Sequence, residues 1–116
     1  DKVIFTGLVE YKNLPEYISA MDICLIPLSP PQWVHIAMPN KFFEYSACGK
    51  PILSTPIPNI MELGGENLFI YHDMQEFVEA VKKIMDDPRT YPVEVSGYSW
   101  KNKAEEMEKV LNEVVS

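Results

Sequence analysis

The sequence predicts an α/β fold in which short parallel strands are joined by single crossing helices. Three observations carry this. Apolar runs at residues 23–26, 52–53 and 68–71 are continuous rather than alternating, as in strands covered on both faces of a parallel sheet. Between them lie segments whose apolar residues recur at helical spacing. Strand and helix therefore alternate roughly every 25 residues, and short connections of this kind imply right-handed βαβ units.

In chain order, Val3-Ile4-Phe5 is an apolar run closed by Gly7, which predicts a brief first strand and brings the expected total to about four. Asn13, Pro15 and Glu16 form a helix-start cluster, with Tyr17, Ile18 and Met21 on one face. Ile23-Cys24-Leu25-Ile26, closed by Pro27, is the next strand. Residues 28–38, with Pro30-Pro31, Trp33 and His35, read as a loop.

A short helix follows. Pro39 suits its first position, where a missing N–H costs nothing. Gly49 suits the left-handed position just past its end, and Pro51 forbids continuation. Ile52 and Leu53 then begin a buried strand. Residues 56–66 hold Pro56, Pro58 and Gly64-Gly65, with one helical turn around 60–63. The run 68–71 is the last strand. Asp73 caps a helix with Glu76 as capping-box partner. Met74, Phe77, Val78, Val81, Ile84 and Met85 form its apolar stripe, and Asp87-Pro88 ends it. A final helix after Ser99 carries Trp100, Ala104, Met107, Leu111 and Val114 at 4-3-4-3 spacing, a stripe that must pack on its own sheet or on a neighbouring domain.

The helix after Pro39 is where a ligand is expected. Asn40, Lys41 and Glu44 are three and four apart and share a face. That face is polar beside a helix N-terminus, where backbone N–H groups favour anions. Parallel sheets bind ligands outside the carboxyl ends of their strands, and the loop 28–38 leads from such an end into this helix.

Composition bounds the rest. At 116 residues, 47% apolar and 23% charged, the chain is a single ordinary globular unit with a modest core. It starts at Asp1 and reads as a unit cut from a longer chain. Net charge is −7, which argues against binding nucleic acid or anionic membrane through bulk charge but not against one phosphate site. No apolar run approaches the ~18 residues of a membrane span. Cys24 and Cys48 read as reduced small apolar fillers, and no Cys/His spacing suggests a metal site.

Several stretches together resemble a known family. These are Phe5-Thr6-Gly7, Leu14-Pro15-Glu16-Tyr17-Ile18, Asp22-Ile23-Cys24-Leu25-Ile26-Pro27 and the run from Pro39 through Glu44-Tyr45 to Gly49-Lys50-Pro51. In that order and spacing they resemble the second half of the carboxyl-terminal domain of GT-B, family 4 type glycosyltransferases. Tyr98-Ser99-Trp100 before an amphipathic helix is similar too. The resemblance implies a three-layer, Rossmann-like half-domain over residues 1–116, with a separate amino-terminal acceptor domain absent from them.

The resemblance implies transfer of a sugar from a UDP- or GDP-linked donor to a saccharide or lipid-linked acceptor, with no metal or cofactor required. Glu44 matches the glutamate that binds the donor ribose hydroxyls, a task suited to a carboxylate accepting two hydrogen bonds. Met38, Pro39, Asn40 and Lys41 match the backbone turn facing pyrophosphate or sugar. Gly7, Leu8 and Val9 match the region lining the base. Many relatives carry a second glutamate eight positions before Glu44, where this chain has Ile36; Asn40 or Lys41 is expected to take over part of its work. The family's basic pair and its catalytic contacts belong to segments before Asp1. The resemblance places the protein in the cytoplasm, with a peripheral site at the inner membrane face.

Plainer readings stand beside these. Glu44 and Lys41 also fit a solvated helix surface, and Asn40 a helix start. His35 reads as an ordinary loop histidine and His72 as structural. Trp33 fits equally a stack on a base or packing on its own domain. The Trp100 stripe reads as core or interdomain contact, and Gly64-Gly65 as a turn. The alternative functions are a non-catalytic α/β protein-interaction module, which would self-associate or hold a protein partner, and a GT-B nucleotide-sugar epimerase.

Overall fold

A computed structural model describes residues 2–29, 36 and 38–116. Among them lie three strands, β1 (Cys24–Ile26), β2 (Ile52–Ser54) and β3 (Leu68–Ile70), all parallel in the order β1-β2-β3. Helices α1 (Leu14–Ser19), α2 (Asn40–Ala47), α3 (Pro58–Leu63), α4 (Met74–Asp86) and α5 (Trp100–Val115) alternate with them, and 3-10 turns precede α1 (Tyr11–Asn13) and α5 (Ser96–Tyr98). The register aligns Cys24 with Ile52 and Ile52 with Leu68.

Successive strand residues face opposite sides of a sheet, and both sides are used. Ile26 and Ile52 pack with Phe42 of α2, Ile57 and Ile60 in the main cluster. Leu53, fully buried, faces the other side. There α4 packs on β2, and Lys83 lies 5.9 Å from the Phe69 ring. The result is the expected three-layer half-domain.

The expected first strand does not form. Val3, Ile4 and Phe5 belong to no regular element, and Phe5 is 92% exposed. A strand requires a hydrogen-bonding neighbour, and β1 pairs only with β2 among the described residues. Trp33 and His35 lie outside the described residues, as does most of the loop that holds them.

The α2 to β2 passage follows local chemistry closely. Pro39 sits at the N-cap with ψ 125°, one position earlier than its helix-start reading. At the other end the N–H of Lys50 donates to Tyr45 O (3.1 Å) and that of Gly49 to Ser46 O (3.0 Å), a Schellman pair. Gly49 takes φ +68°, as that motif requires.

Asn67, which the sequence reading passed over, ties three elements together. Its side-chain amide donates to Ser46 Oγ (3.0 Å) and Lys50 O (3.2 Å). Its backbone carbonyl accepts from the Ile52 N–H at 2.7 Å. It is fully buried. Asn67→Ala strips partners from buried acceptors and is expected to cost roughly 1–3 kcal/mol, read as a lower urea midpoint at unchanged m-value.

On α4, Asp73 caps as expected, its Oδ1 accepting from Glu76 N at 2.8 Å. Glu76 reaches back one residue further than the usual box, accepting from His72 N (2.7 Å) and meeting His72 Nδ1 (2.8 Å). The His72 contact holds the Glu76 carboxyl below its usual range. His72 is thus a structural residue. Burial pushes the Cys24 thiol up to about 11, and its Sγ rests 3.8 Å from Met21 Sδ, consistent with a filler.

α5 departs most from a compact fold. A 116-residue globule has a radius of gyration near ~13 Å; the chain has 16.7 Å and extents of 60 × 31 × 28 Å. Its contacts run chiefly to the preceding 3-10 turn. Trp100, Met107, Leu111 and Val114 are all exposed, so the stripe does not pack on this sheet.

Candidate functional site

A crossover helix runs antiparallel to the strands it joins, so its N-terminus lies at their carboxyl ends. Here α2 begins where β1 and β2 finish. Those strand ends are stitched by side chains: Thr55 Oγ1 donates to Leu28 O at 2.7 Å and Ser54 Oγ to Ile26 O at 3.3 Å. Among the described residues no side chain caps α2. Its geometry leaves the Asn40 and Lys41 N–H groups without an intrahelical acceptor, whereas that of Phe42 donates to Pro39 O.

One turn into α2, Glu44 is half-buried on the wall of a cleft of about 630 Å³. None of the described residues forms a hydrogen bond or ion pair with its carboxylate. Met38, Asn40 and Phe43 share that wall, Tyr11 and Leu63 flank it, and Tyr98, Trp100 and Lys103 come from across it. A smaller recess of about 150 Å³, lined by Tyr11, Leu14, Ile18 and Cys48 among others, also reaches Glu44. The carboxylate thus stands between two hollows, with Tyr11 bordering both.

The structure brings together Met38, Asn40 and Glu44 of the sequence-derived candidates, with Pro39 between the first two as N-cap. Lys41 is exposed and off the cleft lining. At ~100° per residue it lies some 60° beyond Glu44 around the helix, whereas Phe43 lies on the cleft side. Gly7 and Leu8 are exposed and Val9 half-buried, and none of the three lines the cleft. Tyr11, just beyond them, is the residue of that segment that reaches it. Ile36 is exposed.

Sequence reasoning missed Tyr11, Phe43, Leu63, Tyr98 and Lys103, and placed Trp100 in a core or interdomain contact. The signal available was Tyr98-Ser99-Trp100 standing at a helix start, with Lys103 three residues on and so on the same face. Nothing in the spacing says that this turn lies across from Glu44. The contact that brings it there is a ring pair, Phe43 and Tyr98 at 5.1 Å. Chemically, the described residues of the cleft offer one carboxylate for paired hydroxyls, helix-start N–H groups without an intrahelical acceptor for an anion, and aromatic faces for planar or sugar rings. Among the described residues no helix is long and apolar enough to cross a membrane.

Comparison with known proteins gives the family. The model of a family described as "Glycosyl transferases group 1" matches residues 1–87. The chain is 28% identical over 86 residues to a Bacillus subtilis (strain 168) protein named "Putative teichuronic acid biosynthesis glycosyltransferase TuaH". That match takes in 72% of this chain and 22% of the relative, so the chain spans under a quarter of the protein it matches. No solved structure matches significantly.

Proposed function

The chain belongs to the group 1 glycosyltransferases, and we propose that it carries the nucleotide-sugar donor surface of such an enzyme. Glu44 carries this reading. It is half-buried, it has no described partner, and it stands one turn inside a helix whose first N–H groups are open at the carboxyl ends of parallel strands. In the proposed arrangement its two oxygens accept from the vicinal ribose hydroxyls of a UDP- or GDP-linked donor. The backbone turn at Met38 to Lys41 faces the pyrophosphate. Asn40 stands where it can donate to the donor sugar or a phosphate, in place of the acidic residue absent at Ile36.

The acceptor is proposed to be a saccharide or lipid-linked saccharide, held by parts of the protein outside these residues. The relative's name, which speaks of teichuronic acid biosynthesis, supports that class. The proposed location is the cytoplasm, peripheral to the inner membrane face. On this reading the chain alone turns over no donor.

The exposed α5 stripe favours a second reading, an interaction module whose business is a protein surface. Titration of the isotope-labelled chain with UDP and GDP separates the two. Amide shifts should saturate and cluster at residues 38–44, at Tyr11 and at 98–103. Absence of saturable shifts, or shifts centred on β3 and α4, would overturn the donor-site reading.

A further inference from the structure

The parts of a nucleotide are joined in a fixed order: diphosphate, ribose, base. The proposed contacts set the first two along α2, the diphosphate at the helix start and the ribose at Glu44. A helix rises about 1.5 Å per residue, so Glu44 stands roughly one turn beyond Asn40 along the axis. Ribose carries its phosphates and its base on opposite flanks of the ring, at C5′ and C1′. With the phosphates behind Glu44, the base points forward, toward the carboxyl end of α2.

What lies there is the smaller recess of about 150 Å³. Ala47 and Cys48 bound it on the α2 side, and Leu14, Pro15 and Ile18 of α1 on the other. Asn40, Glu44 and Ala47 are four and three apart, so they share a face of α2. Tyr11, exposed in the turn before α1, lines this recess and the larger cleft alike.

The recess selects by size and by chemistry. It is well below the ~300–1,000 Å³ of pockets that hold a whole drug-sized ligand, so it suits a single ring. Its lining is apolar apart from the Tyr11 hydroxyl, the Cys48 thiol and the Glu44 carboxylate, and the carboxylate is engaged by the ribose. Guanine has two rings and a polar atom on every free edge. Its N1–H and N2–H groups call for an acceptor, and no second carboxylate lines the recess among the described residues. Buried there without partners, they would cost binding. Uracil has an apolar C5–C6 edge. It can enter with that edge and leave its carbonyls and N–H facing solvent.

We propose that the recess between α1 and the carboxyl end of α2 is the base subsite of the donor, and that it takes a pyrimidine, with Tyr11 stacking on the ring. The proposal rests on the donor-site reading and deepens it by choosing a uridine over a guanosine diphosphate donor. The diphosphate stays with the α2 turn, and the recess supplies no charge to it. Base contacts come from Tyr11 and Leu14, not from Gly7, Leu8 and Val9, none of which lines the recess.

The test is calorimetric binding of UDP and GDP to the glycosyltransferase that carries this chain. UDP should bind at least tenfold more tightly than GDP. Ala47→Leu adds volume at an exposed helical position and fills the recess. It should weaken UDP about tenfold and leave GDP nearly unchanged. Leu14→Ala opens the recess and should tighten GDP several-fold relative to UDP. A merely structural role for these residues would move both ligands together. Tyr11→Ala should weaken UDP five- to tenfold, and Tyr11→Phe should restore it. Equal affinities in the parent, or tighter GDP, would overturn the proposal. An unchanged UDP-to-GDP ratio in both Ala47→Leu and Leu14→Ala, with UDP lost in Glu44→Ala, would overturn the base subsite and leave the donor-site reading standing. Binding of neither nucleotide to the parent would overturn both.

Discussion

Glu44→Ala should lower kcat/KM for the nucleotide-sugar donor by tenfold or more in the glycosyltransferase that carries this chain. A hydrogen bond to a charged group is worth about 1.5–3 kcal/mol, and each ~1.4 kcal/mol is a factor of ten. The proposed ribose contact is two such bonds from one carboxylate. The variant should fold normally, because the Glu44 carboxylate makes no hydrogen bond or ion pair among the described residues and its position on α2 suits alanine. Glu44→Gln separates charge from shape. It keeps one acceptor oxygen and should fall between the two. Acceptor KM should be unchanged, since the acceptor lies on other parts of the protein in this reading. Unaltered donor kinetics in Glu44→Ala would remove Glu44 from the site.

What could be read in the sequence was chemistry confined to a few neighbouring residues. The Gly49 turn, the Asp73 cap and the continuous runs at β1 and β2 each announce themselves within one or two turns of chain. So did the Glu44 face of α2, because helical spacing fixes which residues share a side. What could not be read depends on partners far along the chain. Val3-Ile4-Phe5 has the composition of a strand, yet pairing is a property of two segments, and β1 offers it none. Asn67 looks like a turn residue until Ser46 and Lys50 are folded against it. Lys103 is a surface lysine of an amphipathic helix until the contact of Tyr98 with Phe43 lays its turn across the cleft. The stripe from Trp100 to Val114 was legible as a stripe, but its covering is not supplied by this sheet.

Gly49→Ala is expected to be the most damaging small substitution, at about 2–5 kcal/mol, for two separable reasons. The first is backbone strain. Gly49 holds φ +68°, and an L-residue in that region costs roughly 1–2 kcal/mol. The second is space. A Cβ there would come within 2.7 Å of Thr90 Cγ2 and 3.3 Å of Tyr91 O. The second of these is backbone, held to Gly49 itself by the Tyr91 N–H donating to Gly49 O at 2.9 Å, and overpacking of this kind costs roughly 1–3 kcal/mol. Gly97→Ala is the control. Gly97 has no positive φ and nothing within 4 Å of an added Cβ, so its substitution should be near neutral. Urea midpoints at constant m-value give both numbers. A Gly49→Ala loss near 1 kcal/mol would mean that the segment at residues 90–91 yields to the methyl group, leaving strain alone. A loss within error of Gly97→Ala would contradict the Schellman geometry of α2. The site is tied to this result, because the turn at Gly49 sets the angle between α2 and the β2 that follows it, and so where Asn40 and Glu44 meet the cleft. The folded fraction of Gly49→Ala should therefore bind UDP or GDP more weakly than that of Gly97→Ala, although Gly49 itself lies at the opposite end of the helix from its first turn.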